Sequence, residues 1–389
     1  MNSNRRNFLR SAAAAGLALG APAVGGTPSS LRQPTTDHAA KSLNLLILGG
    51  TRFLGPALVE AAKARGHKIT LFHRGRSNPG IFPELEHVIG DRDPEVGAGL
   101  SGLKDRKWDA VIDTSSYFPR MTKAAVDLLK DNVGQYVLIS SVSAYPDLSI
   151  KGLTEEDAAA EYEGEEVVEE ITNTSYGPLK VLCERAAEDG MPGRVTNVRP
   201  GLIVGPRDST DRLSYWPLRV RAGGEVLAPG NPTDPVQWVD ARDLAAFCVR
   251  CVEEQTVGVY NIAGPRHPAD MAELVYGCKA VTGGDAKFTW VDADFLQEEG
   301  LMPWGHLPVW APGEGEVSGI NTVNCQKAID AGFDTRPLAE TVRDLLEWRD
   351  SWERGGDKPS RAGMPIEMEQ ATLAKWHKRG SSSEAEAGN

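Results

Sequence analysis

Short runs of apolar residues alternate with longer amphipathic stretches between residues 43 and 262. Such runs, bounded by turn residues, are typical of strands that are buried on both faces of a parallel sheet. The stretches 56–65 and 122–131 have helical periodicity, and Gly66 follows the first as a helix stop. The pattern therefore predicts an α/β fold, a Rossmann-type doubly wound parallel sheet with right-handed crossovers. The predicted strands are Leu43–Leu48, Lys68–His73, a short strand ending at Asp91, Ala110–Asp113, Tyr136–Ser140, Arg194–Val198 and Gly258–Ile262.

Beyond residue 205 the alternation loosens, and Gly, Pro, Arg and Trp become frequent. We interpret these later pieces as a smaller C-terminal substrate lobe over the strand ends. The predicted parts are a signal peptide (1–23), a linker (24–41), a cofactor-binding Rossmann domain (42–205 plus 236–265), the substrate-binding lobe (206–235 plus 266–350) and a partly disordered C-terminal extension (351–389).

The first 23 residues have the organisation of an export signal. Arg5-Arg6 precede Phe8-Leu9-Arg10, a short run of small and apolar residues follows, and Ala21-Pro22-Ala23 has the form of a cleavage site. The segment resembles a twin-arginine signal, and the alternative is a basic tail without signal function. We therefore expect the twin-arginine export machinery as a partner and a periplasmic or extracellular location of the folded protein. The apolar run is too short for stable membrane insertion.

The amino-acid composition and net charge disfavour several classes of protein. The 389 residues contain 42 Lys and Arg against 54 Asp and Glu, a net charge of −12, which disfavours a protein that coats nucleic acid. Five cysteines do not make a disulfide scaffold. We interpret Cys248 and Cys251 as packing residues of a helix, with a disulfide or redox role as the alternative. The nine carboxylates of 155–170 indicate a solvated segment, and no metal site is predicted.

A glycine-rich turn follows the first predicted strand and precedes a helix. Small residues there let backbone N–H groups and the helix N-terminus approach a pyrophosphate. The alternative is an empty turn that needs glycine for steric reasons alone, and Arg52 stands where a middle glycine is usual. The predicted cofactor-binding residues of this turn are Gly49, Gly50, Thr51, Arg52, Phe53, Leu54 and Gly55.

The end of the second strand bears on the choice of cofactor. An acid usually stands here to bind the adenosine ribose, but this chain has Arg74 and Arg76. Arginine suits a 2′-phosphate, so the sequence favours NADP over NAD within an NAD(P) site. The alternative is that both arginines are solvated loop residues. Asp91 ends a further short strand and is a candidate contact of the adenine amine.

Candidate catalytic residues follow in order. Tyr176 and Lys180 are four residues apart, which puts them on one face of a helix, and Ser141 ends an upstream strand. A neighbouring ammonium lowers the pKa of a tyrosine, and a serine hydroxyl holds a substrate oxygen. This set indicates hydride transfer to or from a carbinol carbon beside a nicotinamide.

The chain resembles the extended short-chain dehydrogenases/reductases, in the NAD-dependent epimerase/dehydratase branch, clearly over 43–265 and loosely over 266–350. The motifs are the glycine turn, Gly90-Asp91, Ser141 with Tyr145, Tyr176 with Lys180, Arg-Pro-Gly-Leu-Ile-Val-Gly-Pro at 199–206, Trp-Val-Asp-Ala-Arg-Asp-Leu at 238–244 and Tyr-Asn-Ile at 260–262. The resemblance implies a catalytic triad of Ser141, Tyr176 and Lys180, with Lys180 on the nicotinamide ribose and the backbone near Pro200 on the nicotinamide. Ser115-Ser116 replace the family's small-residue pair after strand four, which weakens that cofactor contact.

Two functions are weighed. The first is an NAD(P)-dependent oxidoreductase, epimerase or dehydratase acting on a sugar or sugar-nucleotide-like carbinol. The second is a non-catalytic or RNA-associated binding protein, because the glycine turn is similar to that of plant chloroplast RNA-associated proteins. The complete Ser/Tyr/Lys set favours the enzyme, with no nucleic acid partner. Export favours a tightly bound cofactor that is regenerated in each turnover. A homodimer is compatible with this assignment.

Overall fold

The computed structural model describes residues 41–164, 166–351 and 361–387. The predicted signal peptide (1–23) and all but the last residue of the predicted linker (24–41) lie outside the described residues. Among the described residues, none of the helices combines the length and hydrophobicity that crossing a bilayer requires.

Strands and helices alternate through the first part of the described chain. The strands are β1 (Asn44–Leu48), β2 (Lys68–His73), β3 (Glu86–Ile89), β4 (Trp108–Asp113), β5 (Val133–Ile139), β6 (Val195–Pro200), β7 (Ile203–Val204), β8 (Glu225–Pro229), β9 (Pro235–Val236), β10 (Val239–Asp240), β11 (Gly258–Ile262), β12 (Ala269–Asp270) and β13 (Lys287–Val291). The helices are α1 (Leu54–Ala64), α2 (Pro119–Leu129), α3 (Tyr176–Gly190), α4 (Tyr215–Arg221), α5 (Ala241–Glu254), α6 (Met271–Thr282), α7 (Ala293–Glu298), α8 (Gln326–Asp330), α9 (Leu338–Asp350) and α10 (Ile366–Ala387).

Seven strands form one sheet in the order β11-β6-β5-β4-β1-β2-β3, and every neighbouring pair is parallel. The order reverses direction at β1, with later strands on one side and β2 and β3 on the other. This is the doubly wound arrangement, and the predicted Rossmann-type fold is confirmed.

The central strand explains the two helical layers. Side chains alternate across a strand, so Leu45 and Ile47 face one side and Leu46 and Leu48 the other. The first pair packs with residues of α1 and α5, and the second with residues of α2 and α3. All four side chains are fully buried, and each contributes about 1.5–3 kcal/mol by leaving water. The four consecutive apolar residues at 45–48 are therefore what a sheet covered on both faces requires.

A second hydrophobic core lies among the later segments. It is formed around Trp216 of α4 and Trp310, which are both almost completely buried. The indole of Trp216 donates to the Pro308 carbonyl oxygen at 2.7 Å. Helix α10, for which no secondary structure was predicted, adds Leu373 to this core. Glu369 of the same helix is buried and accepts from Arg219 at 2.5 Å.

The register of the sheet brings the carboxyl ends of its central strands level. Leu48 of β1 pairs with both Phe72 of β2 and Asp113 of β4, and Asp113 in turn pairs with Leu138 of β5. Residues that directly follow these strands therefore meet along one edge. In open α/β sheets this edge, at the point where the strand order reverses, is where ligands bind.

Candidate functional site

A single cleft of about 1240 Å³ runs along the carboxyl edge of the sheet. Its wall includes every predicted cofactor-binding and catalytic residue except Gly55. The residues on the wall are Gly49, Gly50, Thr51, Arg52, Phe53, Leu54, Arg74, Arg76, Asp91, Ser141, Tyr176, Lys180 and Pro200. The structure thus brings the predicted cofactor and catalytic residues into one cavity.

The glycine turn needs its small residues for two reasons. Gly49 and Gly50 have φ of 116° and 91°, a backbone region that side chains disfavour. A Cβ atom on Gly55 would lie 2.4 Å from the Gly50 backbone, so α1 begins directly against the turn. The N-terminus of α1 is therefore at the cleft, where its free N–H groups suit an anion.

A histidine pair supports the turn after β2. The Gly75 N–H donates to Nδ1 of His73 at 3.0 Å, which leaves the proton of His73 on Nε2. That Nε2–H donates to Nδ1 of His87 at 2.7 Å, and Nε2 of His87 donates to the Phe82 carbonyl oxygen at 3.0 Å. Burial and the neighbouring His87 lower the pKa of His73. The pair thus supports the segment that carries Arg74 through these hydrogen bonds.

Three arginines near the glycine turn have no ion-pair partner among the described residues: Arg52, Arg74 and Arg76. All three side chains are exposed to the cleft or to solvent. In a chain with 54 acids, a group of unpaired cations beside a glycine turn is a surface suited to anions.

A buried network around Asp113, beneath the cleft wall, was not predicted. Asp113 at the end of β4 is inaccessible to solvent and accepts at 2.5 Å from each of Arg92, Ser116 and Tyr136. Two features of the sequence could have indicated it: Arg92 directly follows Asp91, and the acid Asp113 ends a largely apolar strand. Asp91 itself is half-buried on the cleft wall, and its Oδ1 accepts from the Asp93 N–H at 3.1 Å.

The candidate catalytic residues Ser141 and Tyr176 are brought together by a close approach of two segments. Ser141 follows β5 and its Oγ accepts from the Ser143 N–H at 3.1 Å. Tyr176 is the first residue of α3, as Pro178 required, with Ser175 at the N-cap position. A Cβ atom on Gly177 would lie 2.0 Å from the Ser143 carbonyl oxygen, so only glycine lets α3 begin against this segment.

The environment of Tyr176 determines its proton chemistry. Burial raises the pKa of its phenol, and the nearby Tyr117 acts in the same direction. A hydrogen bond with Ser141 and the positive charge of Arg212 lower that pKa again. Arg212 was not predicted, because the loop that carries it lies more than 30 residues after Tyr176.

Lys180 is 3% exposed, and its Nζ donates to the carbonyl oxygens of Ser116 at 2.5 Å and Ile139 at 2.6 Å. Burial lowers the pKa of this ammonium group. An ammonium has three donors, so one remains for a ligand in the cleft. The structure assigns Lys180 no hydrogen bond to Tyr176, and its nearest aromatic contact is Tyr117, whose ring centroid is 5.4 Å from Nζ.

Tyr145 anchors the segment behind Ser141. Its hydroxyl donates to Oδ1 of Asn261 in β11 at 2.8 Å, and the guanidinium of Arg199 lies 4.9 Å from its ring centroid. Arg199 in turn forms a buried, two-bond ion pair with Glu184 of α3. These contacts fix the segment 141–145, called the serine segment below, to α3, β6 and β11.

Cys248 and Cys251 are buried free thiols of α5, and burial raises the pKa of Cys251 to about 12. Thiols in such surroundings are inert, in agreement with a packing role. Among the described residues no group of three or more His, Cys, Asp or Glu side chains has the arrangement of a metal site.

Comparison with known proteins agrees with this architecture. The model of the NAD dependent epimerase/dehydratase family matches residues 45–263. A curated relative, the "Chloroplast stem-loop binding protein of 41 kDa b, chloroplastic" of Arabidopsis thaliana, is 25% identical over 245 residues, which are 59% of this chain and 61% of that protein. The aligned region therefore spans less than two thirds of the relative.

Two solved structures share the fold. The UDP-N-acetylglucosamine 4-epimerase from Bacillus cereus has a TM-score of 0.57 at 18% identity, covering 79% of this chain and 100% of that one. The Bordetella bronchiseptica enzyme WbmG, in complex with NAD and UDP, has a TM-score of 0.58 at 16% identity, covering 82% and 96%.

Proposed function

The chain belongs to the NAD dependent epimerase/dehydratase family, and we propose that it is an NAD(P)-dependent enzyme acting on a sugar or sugar-nucleotide-like carbinol. The observation that carries this proposal is one cleft with a glycine turn and unpaired arginines at one end and Ser141, Tyr176 and Lys180 at the other. A dinucleotide cofactor bound with its pyrophosphate at the glycine turn extends its adenosine to one side and its reactive nicotinamide ring to the other.

Each residue of the catalytic end has a distinct task in this proposal. A nicotinamide, when bound, supplies the carbon that accepts and returns a hydride. Tyr176 takes the hydroxyl proton of the carbinol on oxidation and returns it on reduction. Ser141 holds the substrate oxygen beside that phenol, and the free donor of Lys180 is directed to the nicotinamide ribose.

We further propose that NADP is the preferred cofactor. Arg74 and Arg76 follow the strand whose end meets the adenosine ribose in this fold, and neither has an ion-pair partner among the described residues. The histidine pair holds the backbone of their turn in place. Two free guanidinium groups match the extra phosphate of NADP, which NAD lacks.

The double variant Arg74→Ala/Arg76→Ala tests the cofactor assignment. We expect its affinity for NADPH to fall about tenfold or more, at about 1.5–3 kcal/mol for each lost charged hydrogen bond, while its affinity for NADH stays unchanged. Titration of reduced-nicotinamide fluorescence measures both affinities, with Arg343→Ala on an exposed face of α9 as the control. Equal losses for the two nucleotides would contradict the NADP preference.

Export in folded form is part of the same proposal. Its support is the sequence of residues 5–23, with Arg5-Arg6 as the twin arginines. A protein exported without free nucleotide around it has to keep its cofactor. We therefore propose a tightly held NADP that is loaded before export. Nucleotide that remains with the purified protein through dialysis is the expected observation, and a nucleotide-free preparation that exchanges NADP freely would contradict it.

RNA binding is the second candidate, favoured by the name of the Arabidopsis relative and by the unpaired arginines of the cleft. The net charge of −12 opposes it, because RNA affinity depends on a cationic surface. We expect little RNA to be retained on nitrocellulose filters at low or high salt. Tight retention that falls steeply with salt would favour this second function.

A further inference from the structure

The loop between β7 and α4 is held in an unusual conformation beside the cleft. Arg207 and Asp211 have φ of 70° and 60°, which is rare for residues other than glycine. The strain is opposed by a buried ion pair, because Arg349 of α9 donates to Asp211 at 3.0 Å. Strained backbone that is held by its surroundings is a feature of functional sites.

Within this loop a relay of hydrogen bonds orients Arg212. Asp208 is 1% exposed, and its Oδ1 accepts from the Thr210 N–H at 2.8 Å and from the Thr210 hydroxyl at 2.7 Å. That hydroxyl donates its proton to Asp208, so its oxygen is free to accept a hydrogen bond from Nε of Arg212, at 3.1 Å. The guanidinium is thereby fixed at its inner end, and both of its terminal nitrogens extend beyond the relay.

The terminal nitrogens of Arg212 have no partner in the part of the chain that the structure describes. Three arginines with well-buried side chains differ from it, since Arg92, Arg199 and Arg219 each bind a carboxylate. Arg212 is half-buried on the cleft wall. Burial lowers the pKa of Arg212, and the nearby carboxylate of Asp208, which is not hydrogen-bonded to it, opposes that shift.

Arg212 lies at the reacting end of the cleft and not at the nucleotide end. Arg212 lies on the cleft wall close enough to Tyr176 for each group to affect the pKa of the other. Its charge also acts on the phenol of Tyr176 and opposes the pKa increase that burial causes. An anion bound there would therefore belong to a group close to the carbon that Tyr176 serves.

We propose that Arg212 binds a carboxylate or phosphate of the substrate near its reacting carbon, so that the substrate is an acidic carbinol; this inference rests on the proposed function. The planar guanidinium, held at Nε, offers two parallel terminal donors to a pair of oxygens, which is the geometry that carboxylates and phosphates accept. Lysine keeps the charge but not this fork.

Calorimetric titration with paired probes tests the proposal on the full chain. Glucuronate is compared with glucose for the carboxylate, and UDP with uridine for the phosphate. We expect the wild type to bind at least one anionic probe more tightly than its neutral partner. Arg212→Gln loses that preference by about tenfold or more, and Arg212→Lys retains part of it. Arg185→Gln, on the exposed face of α3, is the matched control.

The two probe pairs distinguish the sources of the anion. A preference for glucuronate that depends on Arg212 identifies a carboxylate, and a preference for UDP that depends on it identifies a phosphate. Anionic probes that bind Arg212→Gln as tightly as the wild type, or that bind neither protein, would overturn the proposal. NADPH titration of the same variants measures cofactor binding separately. Loss of anion binding with intact NADPH binding contradicts only the anion site, whereas absence of NADPH binding in the wild type contradicts the proposed function.

Discussion

Replacing Tyr176 by phenylalanine is expected to reduce turnover by at least about 10²-fold, the usual contribution of a positioned proton donor, while NADPH affinity stays unchanged. The ring fits the same space, and only the hydroxyl beside Ser141 is lost. Turnover is measured with the UDP-sugar that the wild type converts fastest among UDP-glucose, UDP-galactose and UDP-glucuronate. Nucleotide affinity is measured by reduced-nicotinamide fluorescence.

Lys180→Met provides the contrast in the same assays. The lysine is buried and bound to two carbonyl oxygens, and its remaining donor is assigned to the cofactor. We therefore expect this variant to lose nucleotide affinity as well as turnover. Full activity in Tyr176→Phe would disprove the assignment of the proton to Tyr176. Unchanged nucleotide affinity in Lys180→Met would disprove the assigned ribose contact.

Gly177→Ala is expected to reduce turnover about 10²-fold although Gly177 bears no reactive group. The added methyl would lie 2.0 Å from the Ser143 carbonyl oxygen, so the start of α3 or the serine segment has to move. Misplacement of a catalytic group by about 1 Å has an effect of this size. The unfolding free energy is expected to fall by about 1–3 kcal/mol, as in other overpacked sites.

Gly80→Ala is the control for this prediction, because a Cβ atom there meets nothing within 4 Å and its backbone is not left-handed. Turnover and thermal unfolding are measured on both variants. Unchanged activity in Gly177→Ala would mean that the spacing between Tyr176 and Ser141 does not limit the reaction.

The sequence predicted the sheet because its central strands are buried on both faces, and their apolar runs leave a clear signal. Lys68–His73 and Gly258–Ile262 were predicted with the bounds that the structure has. The predicted site residues follow from the same signal, because parallel strands end at one edge and a residue behind each strand lies on the cleft.

Other features depend on contacts between distant segments, and no local pattern encodes them. The short pair β7 and β10 has two residues in each strand. Helix α10 has a long polar face. The burial of its Glu369 could not be predicted, because it depends on the hydrogen bond from the distant Arg219. In the sequence Arg212 is indistinguishable from other loop arginines, and only the fold places it on the cleft wall with Tyr176.

The attachment of Tyr145 to Asn261 has a consequence for the order in which the protein matures. The nucleotide end of the cleft comes mostly from β1, β2 and the segment around Asp91, which leave the ribosome early. The hydroxyl of Tyr145 gains its amide partner only when the chain reaches β11. A nascent chain that stops before residue 258 therefore lacks the edge strand β11 and the hydrogen bond that this strand offers to Tyr145. Translation thus supplies the glycine turn early and the last partner of the segment behind Ser141 late.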